Sequence, residues 1–121
     1  MEVILAVEDI KDNQNEIITK ECLVRCVKEF KELNIMGNFD SKMLIGRVTK
    51  VRIEDNKLIG TIEFKKDINI DFKDKKFRLG FMAIKAEFIE GVLTYKEIEL
   101  LSVSMFDYKD EAAHKEEYLE E

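Results

Sequence analysis

Few groups of residues in this 121-residue chain have the types and spacing that covalent or acid–base chemistry needs. Ser102 and Ser104 lie two apart in an apolar segment, and Glu97 and Glu99 precede them with the same spacing. Alternation along a strand places each pair on one face. A serine nucleophile needs a base within hydrogen-bond reach, and the only histidine, His114, is distant in sequence. We therefore expect strand serines and a solvated glutamate pair, with no catalytic group.

The two cysteines, Cys22 and Cys26, lie four residues apart in a helical pattern. A zinc site would need further ligands. The chain has no third cysteine, and its only histidine, His114, is distant in sequence. Free cysteines pack like small hydrophobic residues and are typical of reducing compartments. We expect two buried thiols, no metal and no cofactor.

Charge and hydropathy limit the classes of partner. The net charge is −6 and the pI is about 5.0, which argues against nucleic-acid binding, because that needs a basic surface. Residues 107–121 carry seven acids and two bases, so this tail accounts for −5 of the net charge. The N-terminal apolar run, residues 3–7, is too short for a signal segment or a membrane span. Partners are therefore expected to be proteins.

The pattern predicts one main helix. Thr19 is a good N-cap, and Ile18 with Leu23 fits a hydrophobic staple across it. Apolar residues continue at helical spacing as far as Leu33, and Gly37 is a plausible stop after it. Residues 107–121 form a separate acidic tail, whose segment 112–119 is compatible with a helix or with a mobile chain.

Two β-hairpins are predicted. A two-residue turn at Asp55-Asn56 pairs Ile53 with Leu58, Val51 with Gly60 and Thr49 with Ile62. A second hairpin, residues 77–106, turns at Glu90-Gly91 and carries apolar side chains on both faces, which implies cover on both sides. The expected fold is α+β and β-rich: a small closed or partly open antiparallel barrel or sheet of about six strands, with the main helix packed on it. Residues 1–106 form one domain.

Several short motifs follow one another in a specific order. They are a polar loop at 12–18, the helix led by Thr19, Asn38-Phe39-Asp40, Ile45-Gly46-Arg47-Val48, the turn segment 55–60, Arg78-Leu79-Gly80-Phe81, and residues 99–106. This order resembles the tailed-phage prohead (capsid maturation) proteases, relatives of herpesvirus assemblin. The resemblance covers roughly residues 5 to 106, and it implies a protease-like β-rich fold.

The chain departs from that family at the three positions that carry its chemistry. The resemblance puts the general base at Phe39, the nucleophile at Arg78 and the orienting acid at Ser102. Phe39 accepts no proton, and Arg78 stays protonated and cannot attack. A serine hydroxyl cannot hold an imidazole as a carboxylate does. The expectation is a catalytically degenerate, non-enzymatic member of the fold, with no catalytic, cofactor or metal residues.

The mapping makes geometric predictions. A strict two-residue turn at 90–91 pairs Arg78 with Val103 and Leu79 with Ser102, so Arg78 and Ser102 would face opposite sides of the sheet. A shared former site therefore needs a β-bulge between them. Phe39 is expected to be largely buried. Arg78 is expected to point to solvent or to bind an acid, with three candidate partners: Asp40, Glu97 and Glu99.

The resemblance implies a structural protein of a phage particle, located in the virion or the host cytoplasm. It would decorate the capsid, occupy a vertex or assist head assembly, with major capsid or portal proteins as partners and self-association through a hairpin edge. Three alternatives stay open: a regulator that binds an active maturation protease, a β-rich interaction domain unrelated to phage, and an active protease that uses Ser102 or Ser104.

Overall fold

The computed structural model describes residues 1–12, 15–37, 40–68 and 75–107. Phe39, the segment 69–74 and the tail 108–121, with His114, lie outside the described residues. The elements in chain order are β1 (Glu2–Val7), β2 (Glu16–Ile18), α1 (Lys20–Lys28), β3 (Leu33–Gly37), β4 (Asp40–Glu54), β5 (Lys57–Phe64), β6 (Lys75–Ile89) and β7 (Val92–Asp107).

Helix α1 begins where the sequence predicts and ends earlier. The Thr19 hydroxyl accepts a hydrogen bond from the Cys22 backbone N–H at 3.1 Å, as an N-cap should. The helix ends at Lys28, so the prediction of a helix reaching Leu33 is wrong. Residues 33–37 form β3, because Leu33 and Ile35 alternate with outward-facing positions and enter the sheet core.

The seven strands form one sheet that curls into a half-barrel. Its order is β1-β5-β4-β3-β7-β2, with β6 paired to β7. The prediction of a β-rich α+β domain with about six strands and one main helix is confirmed at this level. The sheet is not purely antiparallel, since the β2–β7 and β3–β7 ladders are parallel.

Strand β7 organises the molecule because it has partners along both edges. Strand β6 pairs with it from Lys75↔Asp107 to Ile89↔Val92. Strands β2 and β3 must therefore share the other edge, where they pair with residues 93–95 and 103–105. Helix α1 connects β2 to β3 and contacts β7 between those two ladders. The buried side of α1 carries Cys22, Leu23 and Cys26.

The β4–β5 hairpin confirms most of the predicted register. Ile53 pairs with Leu58 and Val51 with Gly60. Asp55 and Asn56 have φ values of 50° and 65°, the left-handed conformation that such a turn requires. The Thr49–Ile62 pairing is wrong, because a β-bulge at Thr49 shifts the register so that Val48 pairs with Ile62.

The β6–β7 hairpin is covered on both faces along only part of its length. Residues 102–106 are all buried, which matches the expectation drawn from its two apolar faces. Residues 82–89 of β6 are all exposed, which contradicts that expectation for the outer half of the hairpin. The outer half extends past the helix and the curled sheet, so its apolar side chains remain in contact with solvent.

Candidate functional site: the paired strands around Arg78

A β-bulge brings Arg78 and Ser102 to the same face of the β6–β7 ladder. Arg78 pairs with Ser104, and Gly80 pairs with Ser102. The predicted pairing of Arg78 with Val103 is therefore wrong by one residue. The register shifts between Gly80 and Phe81, where Leu101 is the extra residue of β7. This is the bulge that a common site for Arg78 and Ser102 required.

Arg78 packs against an aromatic ring. Its guanidinium carbon lies 5.2 Å from the ring centroid of Phe106, within the range of a cation–π contact. Phe106 is buried, and the Nε atom of Arg78 is shielded from solvent. Arg78 is half-buried, so its side chain packs against the sheet face and does not extend freely into solvent.

Two of the three acids proposed as partners of Arg78 have side chains that the structure describes. Glu97 binds Arg25 of α1, with 2.8 Å between Oε1 and the guanidinium Nη1. Glu99 is exposed and lies opposite Met82 in the ladder. The side chain of Asp40 lies outside the described residues. Of the three candidates, Glu97 is thus already bound by a cation of α1, and the pairing of Arg78 with an acid stays a prediction.

The two serines are placed for packing and hydrogen bonding. The Ser104 side chain is fully buried, and its hydroxyl donates to the backbone carbonyl of Met36 at 3.3 Å. Ser102 is 9% exposed and neighbours Gly80. A hydroxyl held on a carbonyl of β3 stabilises the β3–β7 pairing. Whether either serine reacts stays a prediction, since His114 lies outside the described residues.

Two buried thiols lie under α1, as the sequence predicts. Cys22 and Cys26 are free and buried. The hydrogen bond from the Cys26 thiol lowers the pKa of Cys22 from its usual value. The same hydrogen bond, together with burial, raises the pKa of Cys26 far above its usual value. Cys26 therefore stays protonated at neutral pH and is a poor nucleophile.

A groove opens beside residues 98–100 of β7, between the stretch that pairs with β2 and the stretch that pairs with β3. It encloses about 530 Å³ and lies between the end of α1, the start of β3 and the middle of β7. Its apolar wall is formed by Cys26, Phe30, Leu33, Ile98 and Leu100, together with Ile84 of β6. The charged residues Glu29, Lys31 and Glu99 line its margin. Such a groove can hold an apolar side chain of a partner, and its protonated thiol offers no covalent chemistry.

The exposed outer half of β6 is the feature that sequence reasoning missed. Phe88 is 77% exposed, and Met82, Ile84 and Ile89 are also exposed. The signal was present in the sequence, since an apolar hairpin of this length exceeds what one nine-residue helix can cover. Isolated exposed apolar residues are common, whereas large contiguous apolar patches are typical of interaction sites.

Within residues 1–12, 15–37, 40–68 and 75–107, no group of three or more His, Cys, Asp or Glu side chains is arranged to hold a metal ion. In the same ranges, no helix has the length and apolar character needed to cross a membrane. Comparison with known proteins found no matching family model, no similar curated protein and no similar solved structure. The resemblance to prohead proteases therefore rests on the order of the motifs alone.

Proposed function

We propose that this chain is a non-catalytic structural protein of a phage head, built on a prohead-protease-like fold that has lost its reaction. It would act in capsid decoration, at a vertex or in head assembly, and its partners would be major capsid or portal proteins. The observation that carries the proposal is the position of Arg78. It stands where the resemblance puts a nucleophile, on the same face as Ser102, and it packs on Phe106.

The loss of chemistry is supported by what the remaining groups do. Ser104 is held by the Met36 carbonyl, and the Cys26 thiol stays protonated because its pKa is raised. An arginine beside them supplies positive charge and donors but no nucleophile. A binding role is supported by the groove beside α1 and by the exposed outer half of β6.

The test is quantitative mass spectrometry of purified virions and immature proheads from the phage that encodes the chain. Copy numbers close to that of the major capsid protein indicate decoration, and a few copies indicate a vertex or neck position. Presence in proheads alone indicates an assembly factor. Absence from both particles would overturn the structural role and favour a regulator of the active protease or an unrelated interaction domain.

A labelling experiment tests the loss of catalysis independently. A fluorophosphonate, which reacts with activated serines, is applied to the full chain and to the variants Ser102→Ala and Ser104→Ala. We expect no labelling of any of the three proteins. Labelling of the unmodified chain that is lost in either variant would show an activated serine and would refute the non-catalytic assignment.

A further inference from the structure

The outer half of β6 presents a free strand edge. Strand β6 pairs with β7 alone within the part of the chain that the structure describes. Residues 82–89 are all exposed, and their only backbone ladder is the one to β7. Unpaired backbone N–H and C=O groups along an exposed strand are a template for pairing with another chain.

Natural proteins usually protect such an edge with charges, proline or β-bulges. This edge is mainly apolar, with Met82, Ile84, Phe88 and Ile89 exposed along it. Its only charges between Met82 and Ile89 are Lys85 and Glu87, which have opposite signs. The edge therefore repels neither a second strand nor a second copy of itself.

The five residues Ile84-Lys85-Ala86-Glu87-Phe88 are complementary to themselves when read in opposite directions. We propose that two copies of this chain form a symmetric dimer by antiparallel pairing of the outer half of β6, with Ala86 on the two-fold axis. In this register each Lys85 lies opposite the Glu87 of the other copy. Each Ile84 lies opposite a Phe88, and the small Ala86 faces itself at the axis.

Three other registers are disfavoured by charge. Parallel in-register pairing would place Lys85 beside Lys85 and Glu87 beside Glu87, and like charges directly opposite are destabilising. Antiparallel pairing centred on Lys85 or on Glu87 also brings two like charges together. The register centred on Ala86 forms both opposite-charge pairs at once, so charge complementarity selects a second copy of the same chain as the partner.

The irregular pairing with β7 in this half of β6 is confined to the segment from Ala83 to Ala86. Register shifts occur on both sides of Lys85, with Ile84 the extra residue in β6 and Lys96 the extra residue in β7. The two shifts cancel, since Ala83 pairs with Ile98 and Ala86 pairs with Tyr95 in the same register. Lys96 also binds Glu87 at 3.3 Å, which holds that carboxylate on the hairpin surface.

The proposed dimer does not depend on the proposed phage function, so the two proposals are tested by separate experiments. Sedimentation equilibrium of the full chain should show a concentration-dependent monomer–dimer equilibrium. Each of the single charge reversals Lys85→Glu and Glu87→Lys creates two like-charge pairs across the axis. Each should weaken dimerisation by roughly tenfold or more, because two attractive pairs become repulsive.

The decisive sample is an equimolar mixture of these two single variants. The Lys85→Glu variant carries two acids at positions 85 and 87, and the Glu87→Lys variant carries two bases there. The two variants should therefore form a heterodimer although each homodimerises poorly by itself. The double variant Lys85→Glu/Glu87→Lys should dimerise like the unmodified chain. Lys66→Glu, the same charge reversal at an exposed position outside β6, serves as the control and should leave dimerisation unchanged.

Three results would overturn the proposal. The unmodified chain could be monomeric at all accessible concentrations. The two single variants could dimerise as well as the control does. The mixture could fail to associate although both single variants have lost the homodimer, which would refute the register centred on Ala86.

Discussion

Single residues near α1 and β7 are held in place by ring packing, hydrogen bonds and burial. Arg78 lies over the Phe106 ring, and Ser104 donates to a backbone carbonyl. Cys26, which lines the groove, is kept as a thiol by burial and by its hydrogen bond to Cys22. At the residue scale, these contacts hold strands and helix together.

The thiols give a first testable consequence. A thiol-reactive reagent should modify Cys22 and Cys26 only as fast as the protein unfolds. Raising the pH to about 9, where a free thiol with a pKa of about 8.5 is mostly thiolate, should not start a direct reaction of Cys26 in the folded protein, because the pKa of Cys26 is raised above that range.

The matched control for the thiols is Val24→Cys, on the same helix at an exposed position. The new thiol at position 24 should react at the rate that the reagent shows with an unprotected thiol. This rate should increase as the pH rises. Rapid modification of Cys26 in the folded protein would contradict the buried, protonated state derived for it.

The helix cap gives a second prediction at the residue scale. Thr19→Ala removes the acceptor for the Cys22 backbone N–H, and we expect the free energy of unfolding to fall by about 1 kcal/mol. Thr19→Ser keeps the oxygen and should be close to neutral. Urea unfolding of the three proteins measures the difference, and equal losses in both variants would show that the hydroxyl does not cap the helix.

At the scale of elements, the bulges decide which residues share a face. A strict two-residue turn predicts opposite faces for Arg78 and Ser102, and the extra residue Leu101 brings them to the same face. Thr49 has the corresponding effect in β4. A bulge depends on how a strand twists around its neighbours. No local residue pattern in either strand predicts it.

Close approach of β4 and β5 gives an element-scale prediction. A Cβ atom on Gly46 would lie 2.4 Å from the backbone carbonyl oxygen of Glu63. Gly46→Ala should lower the free energy of unfolding by about 1–3 kcal/mol, since backbone must move to admit the methyl group. Gly37→Ala is the control, because its Cβ would meet only the end of the flexible Met43 side chain at 3.3 Å.

Thermal unfolding followed by circular dichroism compares these two glycine variants. We expect a clear fall in midpoint for Gly46→Ala and little change for Gly37→Ala. Equal midpoints for both would show that the two strands separate easily at Gly46, contrary to the packing described here.

At the scale of the whole molecule, stability should be unevenly distributed along the β6–β7 hairpin. Residues 102–106 are buried and continue into the parallel ladder with β3, whereas residues 82–89 are exposed on a strand with one partner. Local opening follows such differences in burial and partners.

Amide hydrogen exchange tests this gradient, and Lys85→Glu is the suitable protein because the proposed dimer would protect the β6 edge. We expect slow exchange across residues 102–106 and fast exchange of the outward-facing amides in 82–89. Uniform protection along the whole hairpin would mean that the outer half is covered by something beyond the described residues.

The sequence by itself determined the local elements. Turn residues with left-handed freedom located both hairpins, Thr19 located the start of α1, and two cysteines at helical spacing predicted a buried pair. These features depend on neighbours within a few residues. The order of motifs also suggested the protease-like resemblance and the absence of its catalytic groups at Phe39, Arg78 and Ser102.

Only the tertiary structure decided where α1 ends, which strands are parallel and which faces are covered. Leu33 continues the apolar helical spacing, yet it enters β3 because the antiparallel ladder with β4 pairs it with Val48 and its side chain is buried in the core. The outer half of β6 is as apolar as the inner half, and it is exposed because one short helix and one curled sheet cannot reach it. Burial depends on what lies opposite in space, which periodicity along the chain does not contain.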